Sequence, residues 1–282
     1  MLGPGLIGGS LVLAIRQRYP LARLQVWARR PETVAALQSQ PGVVDLATTD
    51  LSAAVAGMEC LVLAMPTGSM ATVASMLPAL RPLESGDPVL VTDVGSVKQT
   101  VIEGVAPLVA ARGGTFIGSH PMAGSEKKGL DYADPDLFEQ AAVILTPTSP
   151  EQVLERPWWR LAQLWSDMGA RVSVLSAARH DEVVASISHL PHLLAAALVN
   201  STIGHDPEAA GYCGGGFRDS TRIAGGPPEM WSHILADNRD ALLAQLDQLE
   251  AELSRWRNHL IALDRESLHD SLNRACQLRA QV

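Results

Sequence analysis

The sequence is poor in cysteine, with three in 282 residues. Cys60, Cys213 and Cys276 are odd in number and far apart, which favours neither a disulfide framework nor a zinc cluster. Unpaired cysteines of this kind are typical of a reducing compartment. The shortage therefore argues against the small secreted proteins that disulfides hold together.

The chain also lacks an excess of basic charge, a membrane-length apolar run and a secretory signal. Its formal net charge is −8, which leaves no broad basic surface for a nucleic acid or an acidic membrane. The apolar runs are shorter than a membrane span, and the N-terminus has neither the charged nor the apolar region of a signal peptide. We expect a cytoplasmic protein with no nucleic-acid and no membrane partner.

Lysine is scarce as well, because nearly all basic residues are arginine. It occurs at Lys98, Lys127 and Lys128. All three lie in or beside two motifs, TDVGSVK at 92–98 and GSHPMAGSEKKG at 118–129. A functional use of lysine would explain this clustering, and a bias that removed lysine elsewhere by chance explains it equally well.

The first half of the chain alternates short apolar runs with helical patterns. The runs are flanked by turn residues and predict buried parallel strands at 24–27, 60–64, 89–91, 116–117, 141–145 and 172–175. Helical patterns lie at 6–18, 31–38, 68–80 and 150–168. The alternation predicts a Rossmann-like α/β domain with a doubly wound parallel sheet over residues 1–177.

From residue 178 the strand-like runs stop, and we expect an all-α domain over 178–282. The stretch 178–203 is rich in Ala, Leu and Val and predicts a nearly all-buried helix. A glycine-rich loop follows, and Pro227 and Pro228 can open the next helix.

The last segment carries a heptad seam of large apolar residues at alternating four- and three-residue steps. Its members are Leu242, Leu246, Leu249, Leu253, Trp256, Leu260 and Leu263. The seam can pack inside one subunit or against a second copy. Because a small helical domain with this much apolar surface needs burial, we favour a homodimer.

The N-terminal motif from Gly3 to Gly8, GPGLIG, fits G-x-G-x-x-G and leads into a helix pattern. Such glycines let backbone amides approach a dinucleotide pyrophosphate at the helix N-terminus. We expect cofactor contacts from Gly3, Gly5, Leu6, Ile7 and Gly8, with a chance glycine turn as the alternative. Few residues precede the first glycine, although a central strand needs about five. The expected hole in the sheet leaves open whether the natural start lies upstream or the chain is shortened.

The strand predicted at 24–27 would be the second strand of a dinucleotide-binding fold, and Ala28 follows it at the position where NAD enzymes usually carry an acidic residue for the ribose 2′-hydroxyl. Arg29 and Arg30 follow instead and offer guanidinium groups suited to a 2′-phosphate. This pattern favours NADP, with NAD possible, and a pair of solvated surface arginines is the alternative. Pro66 and Thr67, one strand further on, are expected beside the cofactor.

A candidate base stands in the motif at 118–129, where His120 precedes Pro121. Proline disfavours helical geometry in the residue before it, so the imidazole is expected on an extended loop facing a cleft. An uncharged imidazole in such a place can accept a proton near neutral pH.

Five motifs together resemble the prephenate dehydrogenase family and its close relative, arogenate dehydrogenase. They are GPGLIGGS at Gly3, DVGSVK at Asp93, GSHPMAGSE at Gly118, SHLPH at Ser188 and FRDSTRIAG at Phe217. The resemblance covers nearly the whole chain. It implies oxidative decarboxylation of prephenate to 4-hydroxyphenylpyruvate, or of arogenate to tyrosine, with hydride transfer to NAD(P)⁺ in tyrosine biosynthesis.

The resemblance also implies roles for single residues. His120 would be the base, and Ser96 would hydrogen-bond both the substrate hydroxyl and the imidazole. Arg222 would grip a substrate carboxylate, with Asp219 orienting an arginine nearby. His189 would bind substrate, whereas a satisfied core histidine is the structural alternative.

Other matched residues are assigned to the same pocket. Ser125 and Glu126 would line it, and Gly215 would let backbone approach the substrate. Trp231 would lie near the pocket, contributed by the same subunit or across the dimer. Lys98 would add positive potential near a dianionic substrate. For Glu126 a role at a helix start, and for Lys98 a plain surface position, are the alternatives.

Two other classes of function are the alternatives. A β-hydroxyacid dehydrogenase-type reductase places its catalytic lysine in the helical part, and no lysine follows Lys128. A non-catalytic NADP-binding regulator would keep the His120 motif as a structural turn. His189 and His192 share a helix face, which is a spacing that a metal site can use. No carboxylate or cysteine cluster accompanies them in the sequence, so we expect no metal. The sequence does not distinguish prephenate from arogenate as the substrate.

Overall fold

The computed structural model describes residues 1–124 and 129–281, and the strands in those residues form a parallel-dominated sheet. The strands are β1 (Gln25–Trp27), β2 (Leu46–Thr48), β3 (Cys60–Leu63), β4 (Val89–Asp93), β5 (Gly114–Pro121), β6 (Ala142–Thr146) and β7 (Arg171–Val174). β1 pairs with β2, and β3 to β7 lie side by side in chain order. Neighbouring strands are parallel except for β5 and β6.

Helices precede, separate and follow these strands. They are α1 (Leu6–Arg18), α2 (Pro31–Gln38), α3 (Leu51–Val55), α4 (Thr67–Ser75), α5 (Gln99–Ala111), α6 (Arg156–Asp167), α7 (Ala177–Val184), α8 (Leu190–Thr202), α9 (Gly215–Thr221), α10 (Pro228–Asp237), α11 (Arg239–Ile261) and α12 (Arg265–Arg279). α1 and α2 have the predicted bounds. α4 ends earlier than predicted because Pro78 disfavours helical geometry just before it. The helix predicted at 150–168 is a 3-10 turn, Pro150–Leu154, followed by α6.

Helices cover both faces of the sheet, as the burial of successive strand residues shows. Leu63 and Val91 belong to one apolar cluster with residues of α4 and α5. Their neighbours Val62 and Leu90 belong to a second cluster with residues of α1 and α6. Because successive side chains of a strand point to opposite faces, these clusters lie on opposite sides of the sheet. The predicted doubly wound α/β fold is confirmed.

The first three residues fill the middle of the sheet. Leu2 forms parallel bridges with Trp27 of β1 and Leu63 of β3. Its N–H donates to the carbonyl of Val62 at 2.8 Å, and its carbonyl accepts from Ala64 at 2.7 Å. Leu2 is fully buried. The hole expected between β1 and β3 is therefore closed by a very short strand-like segment.

The expectation that all strands are parallel was wrong for β6, which runs antiparallel to β5. A parallel pair needs a crossover connection, usually a helix. The described residues between β5 and β6 contain a 3-10 turn, Leu130–Tyr132, and no α-helix. β7 was expected to be buried but is largely exposed, because it is the edge strand. β2 was not predicted, because its residues Leu-Ala-Thr form no run of large apolar side chains.

A continuous helix, Ala177–Thr202, consists of α7, a π-helical turn at Ala185–His189, and α8. The predicted helix is present, but the predicted near-complete burial is wrong, because Ile187, Leu194 and Leu198 are exposed in the single chain. By length and composition this helix could cross a membrane, contrary to the expectation from the sequence. Its hydrogen bonds, described below, join it instead to the sheet domain.

The glycine-rich stretch contains a short helix, α9, rather than a loop alone. α10 begins at Pro228 with Pro227 as its N-cap, as predicted. By contact density, Met1–Asn238 form one compact unit and Arg239–Val282 a second. Within the second unit, α11 and α12 pack on each other, and Leu263 lies in the turn between them with a φ of 51°.

Candidate active site

His120 lies at the end of β5, directly before Pro121. The predicted extended backbone is confirmed, but the predicted loop was wrong, because His120 pairs in register with Ile144 of β6. A strand satisfies the restriction that proline imposes as well as a loop does. The side chain is 8% exposed, so the imidazole lies almost closed off from bulk water.

A chain of hydrogen bonds runs from His120 to α7 and on to α5. Nδ1 of His120 lies 2.8 Å from Nε2 of His180, and the two rings meet edge to face. Nδ1 of His180 lies 2.7 Å from Oδ1 of Asp181. The Asp181 carboxylate accepts the backbone N–H groups of Lys98 at 2.8 Å and Gln99 at 2.9 Å, where α5 begins. These contacts tie α7 to the sheet domain.

Lys98 is fully buried, so the alternative of a surface lysine was wrong. Its ammonium forms an ion pair with Asp93 at the end of β4 and donates to the carbonyl of Ser119 at 2.9 Å. Asp93 also accepts the backbone N–H of Gly95 at 2.7 Å. Burial lowers the pKa of Lys98, against the raising effect of nearby carboxylates. The ion pair fixes the end of β4 against the end of β5, where the candidate base lies.

Two more buried histidines lie on the helix Ala177–Thr202. Nδ1 of His189 accepts from Nδ2 of Asn238 at 3.0 Å, and the same amide donates to the carbonyl of Asp181 at 2.8 Å. The indole of Trp231 stacks on His192 at a centroid distance of 3.5 Å and meets His189 edge to face. Among the described residues, Nδ1 of His192 has no hydrogen-bond partner. An unpaired buried nitrogen is costly and is suited to a polar group of a ligand.

Burial lowers the pKa of His120, His189 and His192 in this region. Desolvation holds the pKa of His120 well below its ordinary value of 6.5, and His180, Lys98 and His189 lower it further. Desolvation likewise lowers the pKa of His189 to about 4 and lowers that of His192. The three imidazoles are therefore neutral near pH 7, which is the form in which His120 can accept a proton.

The glycine motif has the shape that a dinucleotide pyrophosphate requires. Gly3 has a φ of 93°, and a Cβ on Gly8 would lie 2.3 Å from the carbonyl oxygen of Gly3. A Cβ on Gly5 would meet nothing within 4 Å, so open space lies at the N-terminus of α1. No side chain caps that helix, and the amides of Leu6 and Ile7 lie in its first turn. These residues fit the pyrophosphate of a nicotinamide dinucleotide.

The residues expected near the rest of the cofactor are divided between core and surface. Ala28 is buried just past β1, while Arg29 and Arg30 are exposed and form no ion pair within the described part of the chain. Pro66 is the N-cap of α4. The hydroxyl of Thr67 donates to Asp237 at 2.9 Å, which joins the start of α4 to the end of α10.

On the substrate side, Arg222 and Asp219 are exposed and no ion pair joins them in the described residues. Gly215 begins α9, and a Cβ there would meet nothing within 4 Å. Ser96 is half-buried, and no hydrogen bond within 1–124 or 129–281 links it to His120. The predicted pocket residues Ser125 and Glu126 lie outside the described residues.

Sequence reasoning missed four polar residues of this site, namely Asp93, His180, Asp181 and Asn238. Asp93 stood inside the quoted motif DVGSVK, but the predicted roles in that motif went to Ser96 and Lys98. The adjacent pair His180 and Asp181 lies near the start of the stretch 178–203, which was interpreted from its Ala, Leu and Val content, and the pair has no motif of its own. A charged residue in a predicted buried helix was the available signal, because such residues are rarely buried without a partner.

Family models and curated relatives match most of the chain. Residues 13–174 match the family model described as the prephenate dehydrogenase nucleotide-binding domain, and residues 176–274 match its dimerization domain. A prephenate dehydrogenase of Bacillus subtilis is 35% identical over 95% of this chain and 71% of its own length. A cyclohexadienyl dehydrogenase of Zymomonas mobilis is 32% identical over 95% of this chain and 90% of its own.

A solved structure agrees over the same extent. It is a crystal structure of prephenate dehydrogenase from Aquifex aeolicus in complex with hydroxyphenyl propionate and NAD⁺. It is 30% identical to this chain, covers 99% of this chain and 96% of its own, and superposes with a TM-score of 0.86.

Proposed function

Because the chain belongs to the prephenate dehydrogenase family, we propose that it oxidatively decarboxylates prephenate to 4-hydroxyphenylpyruvate, or arogenate to tyrosine. The protein is an NAD(P)-dependent dehydrogenase, and this reaction is a step of tyrosine biosynthesis. The observation that carries the proposal is the buried, neutral imidazole of His120 at the end of β5, in a chain that also carries the glycine motif at α1.

The reaction has three linked changes at the substrate ring. Hydride leaves the ring carbon that bears the hydroxyl, and the hydroxyl proton passes to a base. The ring carboxylate leaves as carbon dioxide, and the electrons of the broken bond enter the ring and make it aromatic. A bound nicotinamide cofactor would supply the hydride acceptor.

His120 acts as the base in this proposal. Since its pKa lies well below 6.5, the imidazole takes the hydroxyl proton without first losing one of its own. It then returns that proton to the oxygen of the aromatic product. The residue thus ends each turnover in its starting form.

The substrate-binding residues remain those that the family resemblance suggests. Arg222 is exposed and free of ion pairs within the described chain, so its guanidinium can take a carboxylate in the forked geometry that arginine favours. His189 and His192 offer buried polar groups, and Ser96 would orient the substrate hydroxyl. Lys98 is proposed to act through Asp93 rather than by touching the substrate, because its ammonium is already bonded within the protein.

Replacing His120 by Asn tests the proposed function. The variant should oxidise prephenate at least about 100-fold more slowly, with a modest change in KM, because the asparagine amide cannot serve as the base. Nucleotide reduction with prephenate and with arogenate is the measurement. His205→Asn, at an exposed histidine, is the matched control and should keep full activity. An inactive wild-type protein that still binds nucleotide would overturn the enzymatic proposal in favour of a regulator.

The preferred cofactor is proposed to be NADP. Arg29 and Arg30 follow β1 at the place where a 2′-phosphate would lie, and no acidic residue stands at position 28. The exposed and unpaired state of both guanidinium groups in the described chain supports this choice. NAD⁺ is bound by the Aquifex aeolicus relative, and NAD use by this chain is proposed as the weaker activity.

The assembly is proposed to be a homodimer of two-domain subunits in the cytoplasm. The proposed division is 1–177 for the dinucleotide-binding domain and 178–282 for the helical domain, and the family-model matches over 13–174 and 176–274 support it. The match to a dimerization domain over 176–274 supports a dimer. A contact between subunits would also bury the exposed apolar residues of the helix Ala177–Thr202.

A further inference from the structure

We infer that His180 and Asp181 are positioning residues that hold His120 in the tautomer with its free lone pair on Nε2. This inference rests on the proposed function, in which His120 is the base. His180 and Asp181 stand next to each other on α7 and touch neither the glycine motif nor the arginines after β1 in any contact within the described residues. Their effect on the reaction passes through His120.

The argument begins at Asp181, whose two oxygens both act as acceptors. Oδ1 accepts the N–H of Lys98 and Oδ2 accepts the N–H of Gln99, at 2.8 and 2.9 Å. Backbone amides can only donate, so the carboxylate is fixed at the N-terminus of α5 with both oxygens turned toward hydrogens. A helix N-terminus also favours a negative group in this position.

The tautomer of His180 follows from this arrangement. Its Nδ1 lies 2.7 Å from Oδ1 of Asp181, so Nδ1 carries the hydrogen and donates it. A neutral imidazole has one N–H, which leaves a lone pair on Nε2 of His180. That nitrogen is therefore an acceptor.

The tautomer of His120 follows in turn. Its Nδ1 lies 2.8 Å from Nε2 of His180. Because Nε2 of His180 accepts, Nδ1 of His120 must carry the hydrogen. The lone pair of His120 is then on Nε2, which is where a substrate hydroxyl can deliver its proton. The opposite tautomer would set two lone pairs against each other.

Burial makes this order of hydrogens costly to change. His180 is fully buried, and Asp181 and His120 are 5% and 8% exposed. In such a setting an unsatisfied polar atom costs more than in water, and linked hydrogen bonds strengthen each other. Among the residues that the structure describes, the other charged or titratable groups that face His120 are Lys98 and His189, and the pKa of each is lowered by burial. The lysine is paired with Asp93, so Asp181 is the carboxylate at the end of the histidine chain.

Substitutions of His180 test the inference. His180→Leu removes the acceptor for Nδ1 of His120 and should lower kcat by about 10- to 100-fold with prephenate KM within about twofold, a loss typical of a positioned proton-transfer group. His180→Gln supplies a side-chain oxygen that can accept the same hydrogen and should recover most of the rate. Thermal denaturation of each variant gives the folded fraction.

A double-mutant cycle separates positioning from general damage. If His180 acts through His120, adding His180→Leu to His120→Asn should cause little further loss of rate. Nitrogen NMR of histidine-labelled protein reads the tautomer directly. In the wild type, Nδ1 of His120 should be protonated and Nε2 unprotonated, and in His180→Leu the two forms should mix.

The outcomes are distinct for the two proposals. Full kcat in a folded His180→Leu variant, additive losses in the double mutant, or a wild-type His120 protonated on Nε2 would each overturn the positioning role and leave the proposed reaction intact. A wild-type protein that does not oxidise prephenate or arogenate would overturn the proposed function instead. His205→Leu, at an exposed histidine, is the matched control and should leave kcat unchanged.

Discussion

At the scale of single residues, the proposed preference for NADP depends on Arg29 and Arg30. We predict that the wild type has a higher kcat/KM for NADP than for NAD. The double substitution of both arginines by Ala should lower kcat/KM for NADP by at least about 100-fold, since each guanidinium would lose a hydrogen bond to a charged group that contributes about 1.5–3 kcal/mol. The value for NAD should change little.

Initial rates with each cofactor at saturating prephenate measure this preference. Arg81→Ala removes an exposed arginine elsewhere in the sheet domain and is the matched control. A wild type that prefers NAD, or a double variant that loses both activities equally, would show that the two guanidinium groups do not read the 2′-phosphate.

Single residues also show what sequence reasoning can and cannot find. His120 and the glycine motif were found because their chemistry lies in consecutive residues, such as a histidine before a proline. The partners of His120 were not found, because His180 is 60 residues further along the chain. Lys98 was misjudged for the same reason. Its burial depends on β4 and β5 lying side by side, and no pattern within TDVGSVK predicts that these two strands are neighbours.

At the scale of elements, the helix Ala177–Thr202 carries three of the buried histidines, and acid should loosen it. The pKa of His189 is about 4 in the folded protein, whereas an unfolded histidine titrates near 6.5. Below pH about 6.5, His189 is therefore protonated in the unfolded chain and stays unprotonated in the folded chain until the pH approaches 4. Stability is complete above that pH and falls as the pH drops toward 4, by about 3 kcal/mol from His189 alone.

Urea midpoints at pH 7, 6 and 5 measure this loss. Carboxylates titrate mostly below this range, since their ordinary pKa values lie near 4. His189→Gln removes the titrating group, and the fall in midpoint between pH 7 and 5 should be smaller in that variant. His205→Gln, at an exposed histidine, is the control and should keep the wild-type slope. A wild-type midpoint that does not change between pH 7 and 5 would contradict the prediction.

Elements were predicted well where one period governs a long segment. α1 and α2 have the predicted bounds because their apolar pattern, and in α2 an opening proline, act locally. The direction of β6 could not be predicted, because parallel and antiparallel strands have the same side-chain alternation. The burial of the helix Ala177–Thr202 was overestimated, because an apolar composition does not state whether the sheet or a second chain covers each face.

At the scale of the whole molecule, the exposed apolar surface predicts a dimer. In the second compact unit, Leu253 and Leu260 of α11 are 55% and 59% exposed, although both belong to the heptad seam. Monomeric proteins rarely expose apolar patches of this kind. Light scattering should therefore give about twice the chain mass of 30.0 kDa at micromolar concentration.

Charged substitutions on the seam test whether it forms the contact between subunits. Leu253→Glu combined with Leu260→Glu should shift the protein toward a monomer, because each dimer would bury carboxylates without partners. Leu21→Glu, at a fully exposed leucine after α1, should leave the mass unchanged. Helical content by circular dichroism shows whether the seam variant still folds. A wild-type monomer at micromolar concentration would contradict the predicted dimer. A seam variant that remains dimeric would show that the subunits meet at a face other than the heptad seam.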